Sequence, residues 1–524
     1  MLAMKTLKSY IQGSWIEGTG KQAPLFNPAT GEAIAECNSE GIDLGAACTY
    51  AREVGGPALR AMTFAERGKL LKALSLAIHE HREELLDLSQ QNGGNTRGDA
   101  KFDVDGATGT LAAFAHFAKA LPDATHLADG EGIQLGRTAR FWGQHILVPR
   151  EGVAVHINAF NFPGWGMFEK LGPAILAGMP VISKPGSPTA LPAFRMAEIV
   201  AASGILPAGA FQFLCGSAGD LLDHLGPQDS VAFTGSAWTG AKIKGHANLV
   251  AKNVHVNVEA DSLNAVVFAP DLDSDSDTYG EFLANTVREM TQKTGQKCTA
   301  ARRILVPADR VDEVAAELSA LLGRITVGDP TVKTNTMGPV TTESQFAELR
   351  EGIETFATAG RIVCGGSAPA LDTGWFLSPT LVIANDADDE TFHSKELFGP
   401  VATILPYDPS KGAAEAARLA NKGGGSLLGA IYSDDPAWAK ECVLAMAPWH
   451  GRIWTVSKRV AGQATFPGMV LPSMIHGGPG RAGGGEELGG LRGMGDYLQR
   501  VAVQGFGPWV KAEFGAPATE EAKA

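Results

Sequence analysis

Residues 153–186 read VAVHINAFNFPGWGMFEKLGPAILAGMPVISKPG, and this stretch decides the fold class. Two β-rich runs, 153–159 and 180–186, flank a helical pattern that includes FEKLGPAILAGM. A strand, a helix and a second strand in this order are typical of parallel strands joined by a crossover helix. The stretch therefore predicts an α/β fold.

The same alternation continues along the chain. Further strands are predicted at AFQFLCG (210–216), SVAFTGS (230–236) and VHVNVEA (254–260), so this region indicates a doubly wound parallel sheet. Ligands of such sheets bind at the carboxyl ends of the strands. The polar residues at or just beyond those ends are Asn158, Asn161, Lys184, Ser236 and Glu259.

A second α/β series begins near residue 263 and contains Cys298. Residues 62–121 precede both series and are rich in helical patterns. Residues 132–151 alternate like a two-stranded ribbon, and the tail segment LQRVAVQG (498–505) has a strand pattern. Because an isolated hairpin is only marginally stable, we expect the ribbon to pair with another segment, either of the same chain or of a second subunit.

Composition excludes several classes of function. The formal net charge is −13, with 44 Lys and Arg against 57 Asp and Glu, and no basic run suggests nucleic-acid binding. The sequence has neither the apolar core of a signal peptide nor about 18 uninterrupted apolar residues. Six scattered cysteines suggest neither a disulfide framework nor a zinc site. We expect a cytoplasmic protein without membrane partners.

Cys298 lies in the polar loop KTGQKCTAARR (293–303). Taken alone, it favours simple packing, because free cysteine is among the most buried residue types. The loop looks too polar for a core and places cations on both sides of the thiol, which favours a thiolate nucleophile.

Other candidates also have ordinary explanations. Glu259 ends a strand of buried character and fits either a catalytic carboxylate or a structural ion pair. Asn161 is a residue common in turns. FTGSAWTG (233–240) predicts a helix capped by Ser236 that could bind a diphosphate, although a glycine turn is weak support.

Six motifs in order resemble the aldehyde dehydrogenase superfamily: NAFNFP, SKPGSPTA, FTGS, VNVEADSLN, GQKCTA and ELFGPV. The resemblance covers residues 7–505. It implies that Cys298 is the nucleophile, that Glu259 is the general base, and that Asn161 with the backbone N–H of Cys298 forms the oxyanion hole. It implies a two-domain fold with a small β arm for oligomerisation, and no metal.

The resemblance also implies a nicotinamide dinucleotide cofactor. The implied contacts are Asn158, Phe160 through its backbone, Lys184 at the adenosine ribose, Ser187, Gly235, Ser236 at the diphosphate, Glu396 at the nicotinamide ribose, and Phe398. NAD-preferring relatives carry a glutamate three residues after the lysine, where this chain has Ser187. A hydroxyl leaves room for a 2′-phosphate near Lys184, so we expect NADP.

The resemblance implies domains as well. Residues 1–131 and 152–261 are expected to bind the dinucleotide, residues 262–480 to form the catalytic domain, and residues 132–151 with 495–512 to form an oligomerisation arm. We expect at least a homodimer.

The tail HGGPGRAGGGEELGGLRGMGDYLQRVAVQG (476–505) resembles a subgroup that acts on coenzyme A-linked semialdehydes in aromatic degradation. We expect a 3,4-dehydroadipyl-CoA-type semialdehyde as substrate, and 524 residues leave no room for the hydratase domain fused to phenylacetate-type members. The glycines could open the substrate tunnel and Arg481 could contact a phosphate, or the segment could be a simple linker. Trp165, Phe466 and His476 are candidate substrate contacts.

Three alternatives remain from the sequence. A general NAD(P)-dependent aldehyde dehydrogenase would share every catalytic residue. An acyl-CoA-forming enzyme would usually lack the equivalent of Glu259, and a non-enzymatic relative would tolerate loss of Cys298 or Glu259. Both residues are present.

Overall fold

The computed structural model describes residues 4–515. Its strands are β1 Lys5–Leu7, β2 Ser9–Ile11, β3 Ser14–Ile16, β4 Ala23–Phe26, β5 Ala33–Cys37, β6 Leu127–Ala128, β7 Ile133–Gln134, β8 Phe141–Pro149, β9 Ala154–Ile157, β10 Val181–Lys184, β11 Phe211–Phe213, β12 Ser230–Thr234, β13 His255–Glu259, β14 Ala265–Phe268, β15 Arg303–Pro307, β16 Gly360–Cys364, β17 Thr380–Ala384, β18 Val401–Tyr407, β19 Ser426–Tyr432, β20 His450–Val456, β21 Ile475–Gly477, β22 Glu486–Leu488 and β23 Leu498–Phe506.

The α-helices are α1 Leu44–Tyr50, α2 Gly56–Arg60, α3 Phe64–Glu80, α4 Arg82–Gly93, α5 Arg97–Phe117, α6 Trp165–Ala177, α7 Ala190–Ser203, α8 Ala237–Lys244, α9 Ala247–Ala251, α10 Asp277–Thr291, α11 Val311–Leu322, α12 Glu343–Ala359, α13 Thr391–Ser394, α14 Ala413–Asn421, α15 Pro436–Met446 and α16 Gly507–Phe514. Within residues 4–515, no helix is both long enough and apolar enough to span a membrane.

The first sheet has the strand order β13-β12-β9-β10-β11-β2-β3, and its five strands from β13 to β11 are parallel. Consecutive residues of β9 point to opposite faces of the sheet and lie in different hydrophobic clusters, Ala154 in one and Val155 in the other. Both faces of the sheet are therefore covered. The chain runs outward from β9 through β10 to β11, then returns to β12 on the other side of β9. The doubly wound sheet predicted from residues 153–260 is confirmed, and β9 and β12 flank its switch point.

The second sheet has the order β16-β17-β18-β15-β14-β19-β20 and is parallel apart from β16. Its central strand β15 pairs with β14 and β18. Cys298 lies in the loop that leads from α10 into β15. The carboxyl end of the first sheet and this loop supply the residues of the candidate site.

A third sheet has the order β23-β8-β6, with β7 also paired to β8. The predicted ribbon does find a partner, but it is the tail strand of the same chain: β8 and β23 pair antiparallel from Phe141↔Phe506 to Pro149↔Leu498. This sheet also includes Leu127–Ala128, outside the span predicted for the arm. The predicted functions of the dinucleotide-binding region, the catalytic region and the oligomerisation arm stay predictions.

The glycine-rich segment after residue 476 packs against protein, not against an open tunnel. The Gly485 N–H donates to the Val258 carbonyl at 3.0 Å, and the Ala260 N–H donates to the Ala482 carbonyl at 2.9 Å. A Cβ placed on Gly483 would lie 2.3 Å from the Val258 carbonyl oxygen. These glycines allow close approach to β13, which favours a segment that links the catalytic core to the tail over one that opens the funnel.

Arg481 is also engaged within the protein. Its guanidinium donates to the carbonyls of His393 at 3.2 Å and Ser394 at 2.8 Å, and it lies 3.9 Å from the Asp261 carboxylate. These contacts make Arg481 a link between the tail segment and the two large sheets, and we do not retain it as a candidate phosphate contact.

Candidate active site

The loop before Cys298 has a constrained backbone. Lys293 and Thr294 have φ of 53° and 56°, in the left-handed region that costs roughly 1 kcal/mol or more for such residues. Lys293 Nζ donates to Asn95 Oδ1 at 2.9 Å, and Thr294 Oγ1 donates to the Gly338 carbonyl at 3.0 Å. Contacts with two other parts of the chain thus hold the loop in place.

This loop is buried, contrary to the expectation that it is too polar for a core. Lys297 is fully buried and its ammonium donates to Glu289 at 2.7 Å and to Gln292 at 2.9 Å. Arg302 is also buried and donates to Glu396 at 3.1 Å. Because both cations are paired with other groups, the expectation that flanking cations activate the Cys298 thiol was wrong.

A histidine from the tail contacts the thiol instead. His476 Nε2 lies 3.5 Å from Cys298 Sγ and 3.1 Å from Glu259 Oε1. Both His476 and Glu259 are almost fully buried. The imidazole therefore bridges the thiol and the carboxylate, and proton exchange among the three groups needs little movement.

The protonation of these groups follows from burial and mutual contact. Burial alone would raise the pKa of Glu259, but the charge and hydrogen bond of His476 lower it to about 2. Burial would lower the pKa of His476, and the Glu259 carboxylate overcomes this and raises it. Burial, followed by the nearby Glu259 charge, raises the pKa of Cys298 well above its ordinary value. The thiol therefore needs a proton acceptor to become a nucleophile.

A second layer of buried charges lies behind Glu259. Lys170 Nζ is 3.1 Å from Glu169 Oε1 and 3.0 Å from Glu487 Oε2. Carboxylate oxygens of Glu169, Glu259 and Glu487 all lie within 4.8 Å of one another. Burial raises the pKa of Glu487 to about 8, despite the opposing charge of Lys170. The cluster can hold or release a proton next to the base.

Asn161 follows β9 and approaches the cysteine loop. Its Nδ2 donates to the Gln296 carbonyl at 3.1 Å, and its side chain lines the same pocket as Cys298. This pocket, the inner pocket, has a volume of about 40 Å³ and is walled mainly by aromatic and aliphatic groups. An amide donor beside the thiol fits the stabilisation of an oxyanion.

The inner pocket meets a larger cleft at Cys298, Asn161 and Glu259, which line both spaces. This cofactor cleft has a volume of about 400 Å³ and lies at the switch point between β9 and β12. It is lined by Asn158, Phe160, Gly235, Ser236, Glu396 and Phe398, among others. Six of the predicted cofactor residues are thus brought together.

The cleft fits a nicotinamide dinucleotide. Buried oxygens on its walls, Asn158 Oδ1, Thr234 Oγ1 and Glu259 Oε2, have no hydrogen-bond partner within the described residues. Ser236 caps α8, with its Oγ accepting from the Thr239 N–H at 3.2 Å, so a helix N-terminus faces the cleft as the sequence predicted. The residues present therefore offer a diphosphate site and open polar contacts.

Lys184 and Ser187 are placed differently from the other predicted contacts. They flank Gly186, which lines the cleft, but are not among its lining residues. Lys184 Nζ donates to the Pro185 carbonyl at 3.0 Å, and burial lowers its pKa. Ser187 Oγ donates to the Gly216 carbonyl at 3.4 Å. Their proposed contacts with a ribose or 2′-phosphate require these side chains to turn toward the cleft.

Glu396 and Phe398 line the opposite wall. Glu396 accepts from Arg302 at 3.1 Å and from the Ser262 N–H at 3.0 Å, while burial raises its pKa. The Phe398 ring packs edge-on against Phe160, with centroids 5.8 Å apart.

Residues 15–501 match the aldehyde dehydrogenase family, which agrees with the cysteine site and cofactor cleft described above. The chain belongs to the aldehyde dehydrogenase family. It is 43% identical over 481 residues to a 3,4-dehydroadipyl-CoA semialdehyde dehydrogenase of Aromatoleum evansii, which covers 90% of this chain and 93% of that protein. It is 30% identical over 502 residues to aldehyde dehydrogenase 1A1 of Ovis aries, which covers 93% of both chains. The chain is therefore an oxidoreductase that oxidises an aldehyde.

Solved structures confirm the aldehyde dehydrogenase fold. Lactaldehyde dehydrogenase of Escherichia coli superposes with a TM-score of 0.85 at 22% identity, covering 96% of this chain and 99% of that one. Betaine aldehyde dehydrogenase of Staphylococcus aureus, in complex with NAD+, gives 0.83 at 24% identity, covering 96% and 95%. At these identities the likeness concerns the fold alone.

Sequence reasoning placed His476 only as a candidate substrate contact and missed its position between thiol and carboxylate. It also missed Glu169, Lys170 and Glu487. The pair Glu169 and Lys170 did carry a signal, since both charges fall in the otherwise apolar helix α6. Trp165, a candidate substrate contact, lines the inner pocket of this aldehyde dehydrogenase, and its contact with substrate stays a prediction.

Proposed function

We propose that this aldehyde dehydrogenase converts a coenzyme A-linked semialdehyde of the 3,4-dehydroadipyl-CoA type to the corresponding acid, with NADP as cofactor. The observation that carries the catalytic part is the convergence of Cys298, His476 and Glu259 in one buried pocket that opens onto the cofactor cleft. The 43% identity to the Aromatoleum evansii enzyme supports the choice of substrate.

Cys298 Sγ is the proposed nucleophile. Its proton passes to the Glu259 carboxylate, which lies within 4.8 Å of the sulfur and accepts a hydrogen bond from His476, and it leaves to solvent before hydrolysis begins. Sγ then bonds to the aldehyde carbon, and the carbonyl oxygen becomes an oxyanion stabilised by the Asn161 amide and the Cys298 backbone N–H. A nicotinamide dinucleotide, when bound in the cleft, supplies the acceptor for the hydride that leaves this carbon.

Glu259 is the proposed base for the second half of the reaction. A thioester on Cys298 is hydrolysed when Glu259 takes a proton from water and the resulting hydroxide attacks the acyl carbon. The C–S bond breaks, the acid leaves, and the Cys298 thiolate takes the proton from Glu259 to regenerate the thiol. The lowered pKa of Glu259 keeps it ionised at neutral pH, which suits this role.

The NADP preference rests on Ser187. No carboxylate stands at this position to repel a 2′-phosphate, and Lys184 would supply a cation once its side chain turns toward the cleft. The cofactor contacts proposed for Asn158, Phe160, Gly235, Ser236 and the Glu396 wall follow from their position in the cleft.

The protein is also proposed to form at least a homodimer. β23 is the edge strand of its sheet, and its nine residues leave one row of backbone groups without a strand partner in the described chain. Phe506 and Val501 on this strand and Phe141 on β8 are exposed. A long apolar edge of this kind favours pairing with a second subunit.

The substrate proposal is tested by comparing kcat/KM for a CoA-linked semialdehyde with that for a free aliphatic aldehyde of equal chain length. We expect the CoA-linked substrate to be preferred, because the CoA part contributes binding energy. If the free aldehyde is oxidised as efficiently or better, the general aldehyde dehydrogenase alternative replaces the CoA assignment.

A further inference from the structure

A large open cavity lies beyond the inner pocket. This outer cavity has a volume of about 1270 Å³ and is lined by Thr96 and Arg97 at the start of α5, Arg288 on α10, Lys333 and Phe466, among others. The inner pocket, at about 40 Å³, accommodates little more than an aldehyde head. By size alone, any bulky part of a substrate must lie outside the inner pocket.

An aromatic contact separates the two spaces. Phe102 lines the inner pocket and Phe466 lines the outer cavity, and their ring centroids are 5.7 Å apart. Phe102 also packs against Phe162 and Trp165, with centroids 5.6 and 5.3 Å apart. An extended apolar chain bound to Cys298 would therefore have to pass between Phe102 and Phe466 to reach the outer cavity.

Two cations at this exit are available for a ligand. Arg288 is exposed, stacks on the Phe466 ring at 5.0 Å, and forms no ion pair within residues 4–515. Lys333 is exposed and likewise has no acidic partner in the described part of the chain. Arg97, by contrast, is paired with Glu83 and with Asp87 at 3.0 Å. The cavity is also lined by Asp87, which pairs with Arg97, and by Asp99, which accepts from the Thr96 hydroxyl, so Arg288 and Lys333 are the lining cations left for an anionic ligand.

We propose that the outer cavity binds the phosphorylated nucleotide of the coenzyme A substrate, with Arg288 and Lys333 contacting its phosphates. This assignment rests on the proposed CoA-linked substrate and adds the location of the CoA part. Arg288 presents a planar guanidinium, which suits phosphate oxygens, and its stacking on the Phe466 ring positions it.

The test compares the wild type with the double variant Arg288→Gln/Lys333→Gln and with Lys440→Gln as control. Lys440 is an exposed cation on α15 that does not line the outer cavity. For the double variant we expect KM for the CoA-linked semialdehyde to rise about tenfold, as two exposed ionic contacts suggest. Its kcat, its kinetics on a free aldehyde, and all kinetics of the control are expected to stay unchanged.

The outcomes separate this site from the proposed substrate. If the wild type prefers the CoA-linked semialdehyde but the double variant retains its KM, the nucleotide binds elsewhere and the site is wrong while the substrate stands. If the wild type shows no preference for the CoA-linked substrate, both proposals fail. An equal loss on the free aldehyde would mean that Arg288 and Lys333 support the fold, which also overturns the site.

Inhibition by adenosine 3′,5′-bisphosphate gives a second readout. We expect it to compete with the CoA-linked semialdehyde and to inhibit the double variant more weakly. Competition with NADP alone would place the nucleotide in the cofactor cleft and overturn the proposal, as would the absence of inhibition at millimolar concentration.

Discussion

Replacing His476 with phenylalanine tests how the general base is kept ionised. The difference between the ordinary pKa of 4.5 and the value of about 2 for Glu259 corresponds to on the order of 3 kcal/mol in favour of the carboxylate. Without the imidazole, burial dominates and the pKa of Glu259 rises. Glu487 in the same cluster shows this direction, since burial raises its pKa to about 8.

The expected effect on turnover follows from the direction of this change. With a raised pKa, a smaller fraction of the Glu259 side chains is ionised at pH 7, so the rate of thioester hydrolysis falls, by about tenfold for each pKa unit above the assay pH. Raising the pH restores the carboxylate, and kcat of His476→Phe is expected to climb between pH 6 and 9. The wild type has no such limb from Glu259, because its pKa lies far below this range.

The assay is kcat against pH for the wild type, His476→Phe and His476→Gln, with stopped-flow measurement of the burst of reduced cofactor. His476→Gln is the matched control, since its amide can still donate to Glu259 but carries no charge. We expect its rise of kcat with pH to lie between those of the wild type and His476→Phe. A profile for His476→Phe that superimposes on the wild type would refute the role of the imidazole. Loss of the burst in His476→Phe, with an unchanged pH profile, would place His476 in thiol activation alone.

Other predictions concern the remaining residues and the assembly. Cys298→Ala is expected to abolish oxidation, and full steady-state turnover would contradict the nucleophile assignment. Glu259→Gln is expected to give a burst of reduced cofactor with little turnover, whereas Asn161→Ala is expected to lower kcat about a hundredfold or more. Ser187→Glu is expected to shift kcat/KM from NADP toward NAD, and a wild type that already favours NAD would disprove the preference. Light scattering at micromolar concentration is expected to give at least twice the 54.8 kDa chain mass, and a monomer mass would count against the dimer.

Much of the fold could be predicted because local patterns encode it. The strands around Val155, Ile182 and Phe233 alternate with apolar helices, and a parallel sheet buried on both faces requires this composition. Strand ends are likewise visible in the sequence, so Asn158 and Glu259 were placed at the correct edge of the sheet. The capped start of α8 at Ser236 was also predicted, since side-chain capping depends only on residues within one turn.

The sequence by itself determined the order of the elements, the family motifs and the residue types that carry the chemistry, because these depend on near neighbours along the chain. Only the tertiary structure decided what those residues meet. His476 reaches Cys298 and Glu259 across 178 and 217 residues, and β8 pairs with a strand more than 340 residues away. Lys297 is the converse case, because it is adjacent to Cys298 in sequence but its ammonium donates to the buried Glu289 carboxylate instead of contacting the thiol. Side-chain direction and long-range packing set these contacts, and both arise only when the two sheets and the tail come together.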